Sequence, residues 1–182
     1  MYGVIFHFLH DYVVERHGGK ATWQALLEAQ GYRYKVYFPV KDYPDEEIVA
    51  LVETASKALD VPVPDVLEDF GHYVGPQLLS FYHMYVKDPN MKTFEVIETA
   101  GGSIHGVIHE HNPNRKPPRL SAERESDDLL IVHYQSQRKL CPVVRGIIRG
   151  LGDKFGERFD IDETQCMLHG ADECVMRVTR LH

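Results

Sequence analysis

Apolar residues recur along the first part of the chain with the three-to-four-residue spacing of amphipathic helices. Tyr2, Ile5, Phe6, Leu9, Tyr12 and Val13 mark a first helix over residues 2–16, which Gly18-Gly19 stops. Trp23, Leu26 and Leu27 repeat the pattern over Lys20 to Ala29, ahead of Gly31. Tyr32 to Val40 is aromatic but less regular and reads as an ordered connector. Ile48, Val49, Leu51, Val52 and Ala55 make Asp45 to Leu59 a third helix. Pro62 and Pro64 then punctuate, and a fourth helix runs from Asp65 past Phe70 with Gly71 inside it. A fifth begins near Met91 and carries Phe94, Ile97, Ile104 and Ile108. It contains Gly101-Gly102; each glycine costs about 1 kcal/mol relative to alanine, so the pair marks a kink or a close contact.

The period changes after Asn112 to Pro118, which cannot continue a helix, and after the charged stretch Ser121 to Asp128. Strands take over. Leu129 to Tyr134 has a strand pattern, and Phe159 to Leu168 with Cys174 to Leu181 form a hairpin around His169-Gly-Ala-Asp-Glu173. Between them, Val143, Val144, Ile147, Ile148 and Leu151 give a helix over Pro142 to Phe155. The expected class is α+β, a mostly helical N-terminal part meeting a C-terminal antiparallel sheet with flanking helices.

Composition narrows the function. A chain of 182 residues with 43% hydrophobic content suits one domain with a real core. The net charge of −7 and the absence of a Lys/Arg cluster exclude a nucleic-acid footprint. The apolar start has no basic n-region, no small-residue cleavage site and nothing near the roughly 18 uninterrupted apolar residues of a membrane span, so a cytoplasmic, soluble protein without membrane insertion is expected. Three cysteines read as thiols or metal ligands, not as a disulfide framework. No Ser/His/Asp arrangement or carboxylate pair supports catalysis, so no enzyme is expected.

The most specific chemistry is Tyr134-x-Ser136-x-Arg138 at the end of the predicted strand, where alternation turns all three side chains to one face. A guanidinium fork with two hydroxyls suits a carboxylate. His105 stands 29 residues upstream, with Pro113 and Pro118 eight and thirteen residues after it. This constellation resembles the heme-nitric oxide/oxygen-binding (H-NOX) family, related to the heme domain of soluble guanylate cyclase. Met1-Tyr-Gly-Val-Ile5 and Gly146-Ile-Ile-Arg-Gly-Leu-Gly152 are similar too, and the resemblance covers essentially the whole chain.

The resemblance implies heme b between a distal helical subdomain (1–60) and a proximal subdomain with the sheet (61–182). It makes His105 the iron ligand, with His109 its rival one turn on, sets Tyr134, Ser136 and Arg138 on the propionates, and presses Pro118 against the porphyrin. Ile5, Leu9, Val74, Leu78, Val143 and Ile147 line the gas-binding side. Val143 stands where oxygen-holding members of the family carry a hydrogen-bonding tyrosine, so nitric oxide is the implied ligand, with carbon monoxide also binding. Loss of the iron–His105 bond and flattening of the heme against Pro118 would carry the signal to a histidine kinase or a cyclic-di-GMP enzyme, since no output domain is present in the chain. A heme-independent thiol or zinc redox sensor is the alternative reading, and an oxygen-binding protein a weaker one.

The cysteines offer a second site. Cys141, Cys166, His169 and Cys174 have spacings that suit one tetrahedral zinc. Relatives that couple to histidine kinases place a histidine three residues before the middle cysteine. Here that residue is Glu163, so either Glu163 or His169 would complete the set, or the site holds no metal and the cysteines are reduced thiols or a cysteine pair.

Overall fold

A computed structural model describes residues 1–85, 88, 90–104 and 117–182. His105, Ile108, His109 and Pro113 lie outside the described residues. Among the described residues are six α-helices and a four-stranded antiparallel sheet: α1 (Gly3–Arg16), α2 (Gly19–Ala29), α3 (Asp45–Leu59), α4 (Val63–Phe81), α5 (Thr93–Thr99), β1 (Arg119–Ser126), β2 (Leu129–Gln135), α6 (Cys141–Phe155), β3 (Arg158–Gln165) and β4 (Cys174–Leu181). The sheet order is β1-β2-β4-β3. This is the α+β class expected from the pattern.

Local chemistry accounts for the helix ends. Asp45, Glu46 and Glu47 load the first turn of α3 with negative charge where the helix dipole is positive, and Asp60 closes it at φ 53°. Pro142 opens α6 and Gly156 ends it in the left-handed region. At Ala100–Ile104, α5 passes into a π-helical turn, and Gly101 there lies against the backbone of Leu120. The glycine pair therefore marks a wide turn where β1 crosses closely.

Two apolar cores result. One joins Phe6, Leu9, Tyr12, Trp23, Leu27, Ile48, Leu51, Phe70 and Val74 from α1 to α4. The other joins Phe94, Leu130, Val132, Tyr134, Ile148, Leu151, Met176 and Val178 from α5, α6 and the sheet. Ile147 packs against both. α4 belongs to the first core and also packs along α6.

The α4–α6 contact is backbone on backbone. Gly71 and Gly75 lie against the carbonyls of Val143 and Ile147, while Gly146 and Gly150 lie against those of Glu68 and His72. Missing side chains on both helices let the two axes approach closely.

Two local expectations need correction. Ser121–Asp128, read only as a charged stretch, lies largely within β1, an edge strand paired with β2 alone, whose Glu123, Arg124 and Glu125 remain exposed. A strand with water on one face needs little apolar patterning. The second correction concerns the end of β2. The strand stops at Gln135, and the Lys139 N–H donates to the Ser136 carbonyl at 3.0 Å, closing a turn. Strand alternation thus orients Tyr134 alone; a turn places Ser136 and Arg138.

Candidate functional site

Between the two cores lies a cavity of about 840 Å³, at the upper end of the roughly 300–1,000 Å³ usual for ligand pockets. Every described residue that the sequence assigned to a heme site lines it: Ile5, Leu9, Val74, Leu78, Val143 and Ile147, and Pro118, Tyr134, Ser136 and Arg138. They come from α1, α4, α6, β2 and the turns beside the sheet. His105 lies outside the described residues.

The walls are largely apolar, and the polar groups of the triplet gather at one place. Tyr134 and Ser136 are buried. The Leu140 N–H donates to Tyr134 Oη at 3.1 Å and the Arg138 N–H to Ser136 Oγ at 3.2 Å, so both oxygens also hold the turn in shape. Burial pushes the Tyr134 phenol above its ordinary value, keeping it protonated and able to donate. Arg138 Nε lies 2.7 Å from Asp45 Oδ2, which ties the β2–α6 turn to the start of α3 across the cavity's edge. Burial alone would raise the Asp45 carboxyl, but hydrogen bonds from the terminal ammonium and Arg138, with their positive charge, hold it below the usual carboxylate range.

The sequence reading missed several lining groups. Tyr2, Tyr43 and Tyr82 also border the cavity, as do Asp42 and Asp45. Tyr43 Oη accepts a hydrogen bond from the Phe38 N–H at 2.7 Å. The isolated bridge between Tyr2 and Asp42 that helps bring this group to α1 is a long-range contact with no local motif.

A second cluster sits at the start of α6. Ligating atoms of Cys141, Glu163, Cys166 and Cys174 all lie within 4.8 Å of one another. His169 is exposed on the turn Met167–His169 and stays out of the group. The hairpin register explains this: inward-facing Glu163 stands opposite Met176 on β4, whereas His169 lies beyond the end of β3. Glu163 Oε2 accepts from Arg145 at 2.6 Å, and its Oε1 is buried with no hydrogen-bond partner among the described residues. Burial, then the charge of Glu163 and the neighbouring thiols, push the Cys141 thiol strongly upward. Burial likewise raises Cys174.

The family model for haem-NO-binding proteins matches residues 2–163. The chain belongs to this family. An H-NOX protein from S. oneidensis, solved in its Fe(II)NO ligation state, has the same fold with a TM-score of 0.90 and 25% identity, covering 100% of each chain. An oxygen-binding H-NOX domain related to soluble guanylate cyclases, solved as its oxygen complex, shares the fold at a TM-score of 0.85 and 18% identity, covering 100% of this chain and 96% of that one. The soluble guanylate cyclase gcy-35 of Caenorhabditis elegans is 21% identical over 158 residues. That match takes in 80% of this chain and 22% of the cyclase, so the chain spans about a fifth of that relative's length. H-NOX domains are heme-based gas sensors, and the domain senses rather than catalyses. Among the described residues no helix is long and apolar enough to cross a membrane.

Proposed function

We propose that the cavity holds heme b and that the protein is a nitric oxide sensor signalling through a partner such as a histidine kinase or a cyclic-di-GMP enzyme. One observation carries the reading: the ten described residues assigned to the heme site from sequence alone line a single cavity. Its chemistry suits the group, with apolar walls for a macrocycle and a phenol, a hydroxyl and a guanidinium together for two carboxylates. Heme, when bound, would supply an iron able to take a diatomic gas. The chain's residues do the rest. Tyr134, Ser136 and Arg138 would anchor the propionates, Pro118 would press on the ring, and His105 would ligate the iron.

Gas preference rests on Val143. Its side chain lines the cavity and offers no hydrogen bond, so a bound diatomic that carries partial negative charge loses the stabilisation a donor would supply. Oxygen needs that help and nitric oxide does not. Purified protein should therefore take up hemin stoichiometrically, and the ferrous form should shift its Soret band with nitric oxide while giving no stable oxygen spectrum in air. A colourless protein that takes up no hemin overturns the heme reading; a stable oxygen spectrum overturns the preference for nitric oxide.

The thiol cluster fits a structural zinc bound by Cys141, Cys166, Cys174 and Glu163. The 3.7 Å separation of Cys141 and Cys166 sulfurs suits a tetrahedron edge of about 3.8 Å for zinc–sulfur bonds near 2.3 Å. Because the Cys141 and Cys174 thiols are pushed up, metal uptake has to displace protons, so affinity rises with pH. Chelator titrations should find about one zinc per chain, lost more readily at pH 6 than at pH 8. Cys174→Ala should abolish retention and Glu163→Gln weaken it, while His169→Ala leaves it unchanged; a zinc content insensitive to Cys174→Ala would refute the site. The same burial disfavours a thiol redox sensor, since the reactive species is the exposed thiolate.

A further inference from the structure

The turn that follows β2 carries a residue outside the Tyr134-x-Ser136-x-Arg138 pattern. Lys139 has φ 50°, and among the described residues only Asp60 shares a positive φ without being glycine. The left-handed region crowds Cβ against the following carbonyl oxygen, and short polar residues such as aspartate tolerate it best. Asp60 fits that rule as the residue that closes α3. Lysine does not. Glycine would make the same turn, in which the Lys139 N–H donates to the Ser136 carbonyl at 3.0 Å, without the crowding. Backbone strain retained at the edge of a ligand cavity points to a use for the side chain kept there.

Lys139 lines the cavity beside Ser136 and Arg138 and is exposed to water. Among the described residues its ammonium has no ion pair or hydrogen bond. The other cations that line the cavity are committed to a carboxylate of the protein. Arg138 Nε lies 2.7 Å from Asp45 Oδ2, and the terminal ammonium of Met1 lies 2.5 Å from Asp45 Oδ1. Asp42 and Glu53 border the cavity as well. A ligand with two carboxylates adds two negative charges to this rim, and one guanidinium shared with Asp45 is a poor match for both. Lys139 is the lining cation left over.

We propose that Lys139 binds the second carboxylate of a dicarboxylate held in the cavity, while Arg138, shared with Asp45, binds the first together with Tyr134 and Ser136. The inference rests on the heme reading, in which the dicarboxylate is the propionate pair, and adds to it a residue that the motif does not contain. The two halves of the clamp differ in kind. Buried Tyr134 and Ser136 with the planar guanidinium fix one carboxylate by directed hydrogen bonds, and a flexible ammonium follows the other at the exposed rim. The contribution of Lys139 is therefore Coulombic and sensitive to salt.

Hemin transfer from the reconstituted full chain to excess apomyoglobin tests the assignment, with Lys139→Gln, Lys139→Gly and Lys139→Arg beside the native chain. Lys139→Gln keeps a long unbranched side chain and removes the charge; at low salt it should speed hemin loss about two- to fivefold, the scale of an exposed ion pair. Lys139→Gly should match it, and Lys139→Arg should stay near the native rate. The differences should shrink in about 0.5 M salt, where the screening length falls to about 4 Å. Hemin dimethyl ester, which has no free carboxylate, should leave all four chains at one rate. Hemin loss from Lys139→Gln at the native rate, or equal acceleration for hemin and its dimethyl ester, overturns the proposal and leaves the heme reading standing. Uptake of neither hemin nor its ester overturns the heme reading and this proposal with it. A lower zinc content in Lys139→Gln at an unchanged hemin rate would assign the ammonium to the thiol cluster, which also overturns the proposal.

Discussion

Gly146→Ala should destabilise the protein by about 3 kcal/mol or more, the upper part of the range for overpacking, and lower Tm by about 6–12 °C at the roughly 2–4 °C per kcal/mol typical of a chain this long. An added Cβ would overlap the Glu68 carbonyl oxygen and stand 2.7 Å from His72 N and 2.8 Å from Gly71 Cα. All three are backbone atoms, so no side chain can swing aside. The helices have to separate instead. Separation moves Val143 and Ile147, whose own carbonyls rest against Gly71 and Gly75, away from Val74 and Leu78 across the cavity. Surviving folded protein should therefore also retain hemin less well. Gly156→Ala is the contrasting control: nothing lies within 4 Å of its added Cβ, and only its φ of 69° opposes the change, so a loss of about 1 kcal/mol is expected. Thermal melts of the two variants decide the matter, and equal Tm values would show that α4 and α6 can part without strain.

Ser136→Ala/Arg138→Ala should speed hemin loss roughly 10–150-fold, as expected from losing about 1.5–3 kcal/mol of charge-assisted hydrogen bonding to a carboxylate. Hemin transfer to excess apomyoglobin measures it. Tyr134→Phe should have a smaller effect on hemin, because Tyr134 Oη also accepts the Leu140 N–H and part of its role is to hold the turn. Arg138 already binds Asp45, so a propionate has to share the guanidinium with that carboxylate. Asp45→Asn should then leave hemin retention intact or improve it. Hemin loss from the double variant at the native rate would remove the triplet from the site. The ion pair itself has a defined pH dependence. The folded Asp45 carboxyl titrates below its unfolded value, so the pair's contribution is present above the ordinary carboxylate range and is lost as pH falls through the lowered value. Acid unfolding of Asp45→Asn should accordingly be less steep than that of the native chain.

How much of this was legible without coordinates differs from element to element. The helices α1, α2, α3 and α6 were, because each keeps a regular apolar stripe and is bounded by glycine or proline. β1 was not, since an edge strand with one wet face carries Glu123, Arg124 and Glu125 without contradicting its pairing. The cavity-lining residues were legible through order and spacing in the resemblance to a family, and the cavity then gathered all that are described. The close α4–α6 contact was not, although Gly71 and the run around Gly146 were noticed. A glycine in a sequence marks permission for close approach without saying what approaches.

By itself the sequence determined the α+β class and the family, and set a phenol, a hydroxyl and a guanidinium within five residues of one another, because these depend on residue type and short-range spacing. Only the tertiary structure decided which atoms meet. A turn, not strand alternation, brings Ser136 and Arg138 beside Tyr134. The hairpin register selects Glu163 over His169 beside the three thiols, since a strand faces inward only at alternate positions. The bond of Arg138 to Asp45 depends on partners brought together from more than one element. Such information lies in long-range packing, which no local pattern encodes.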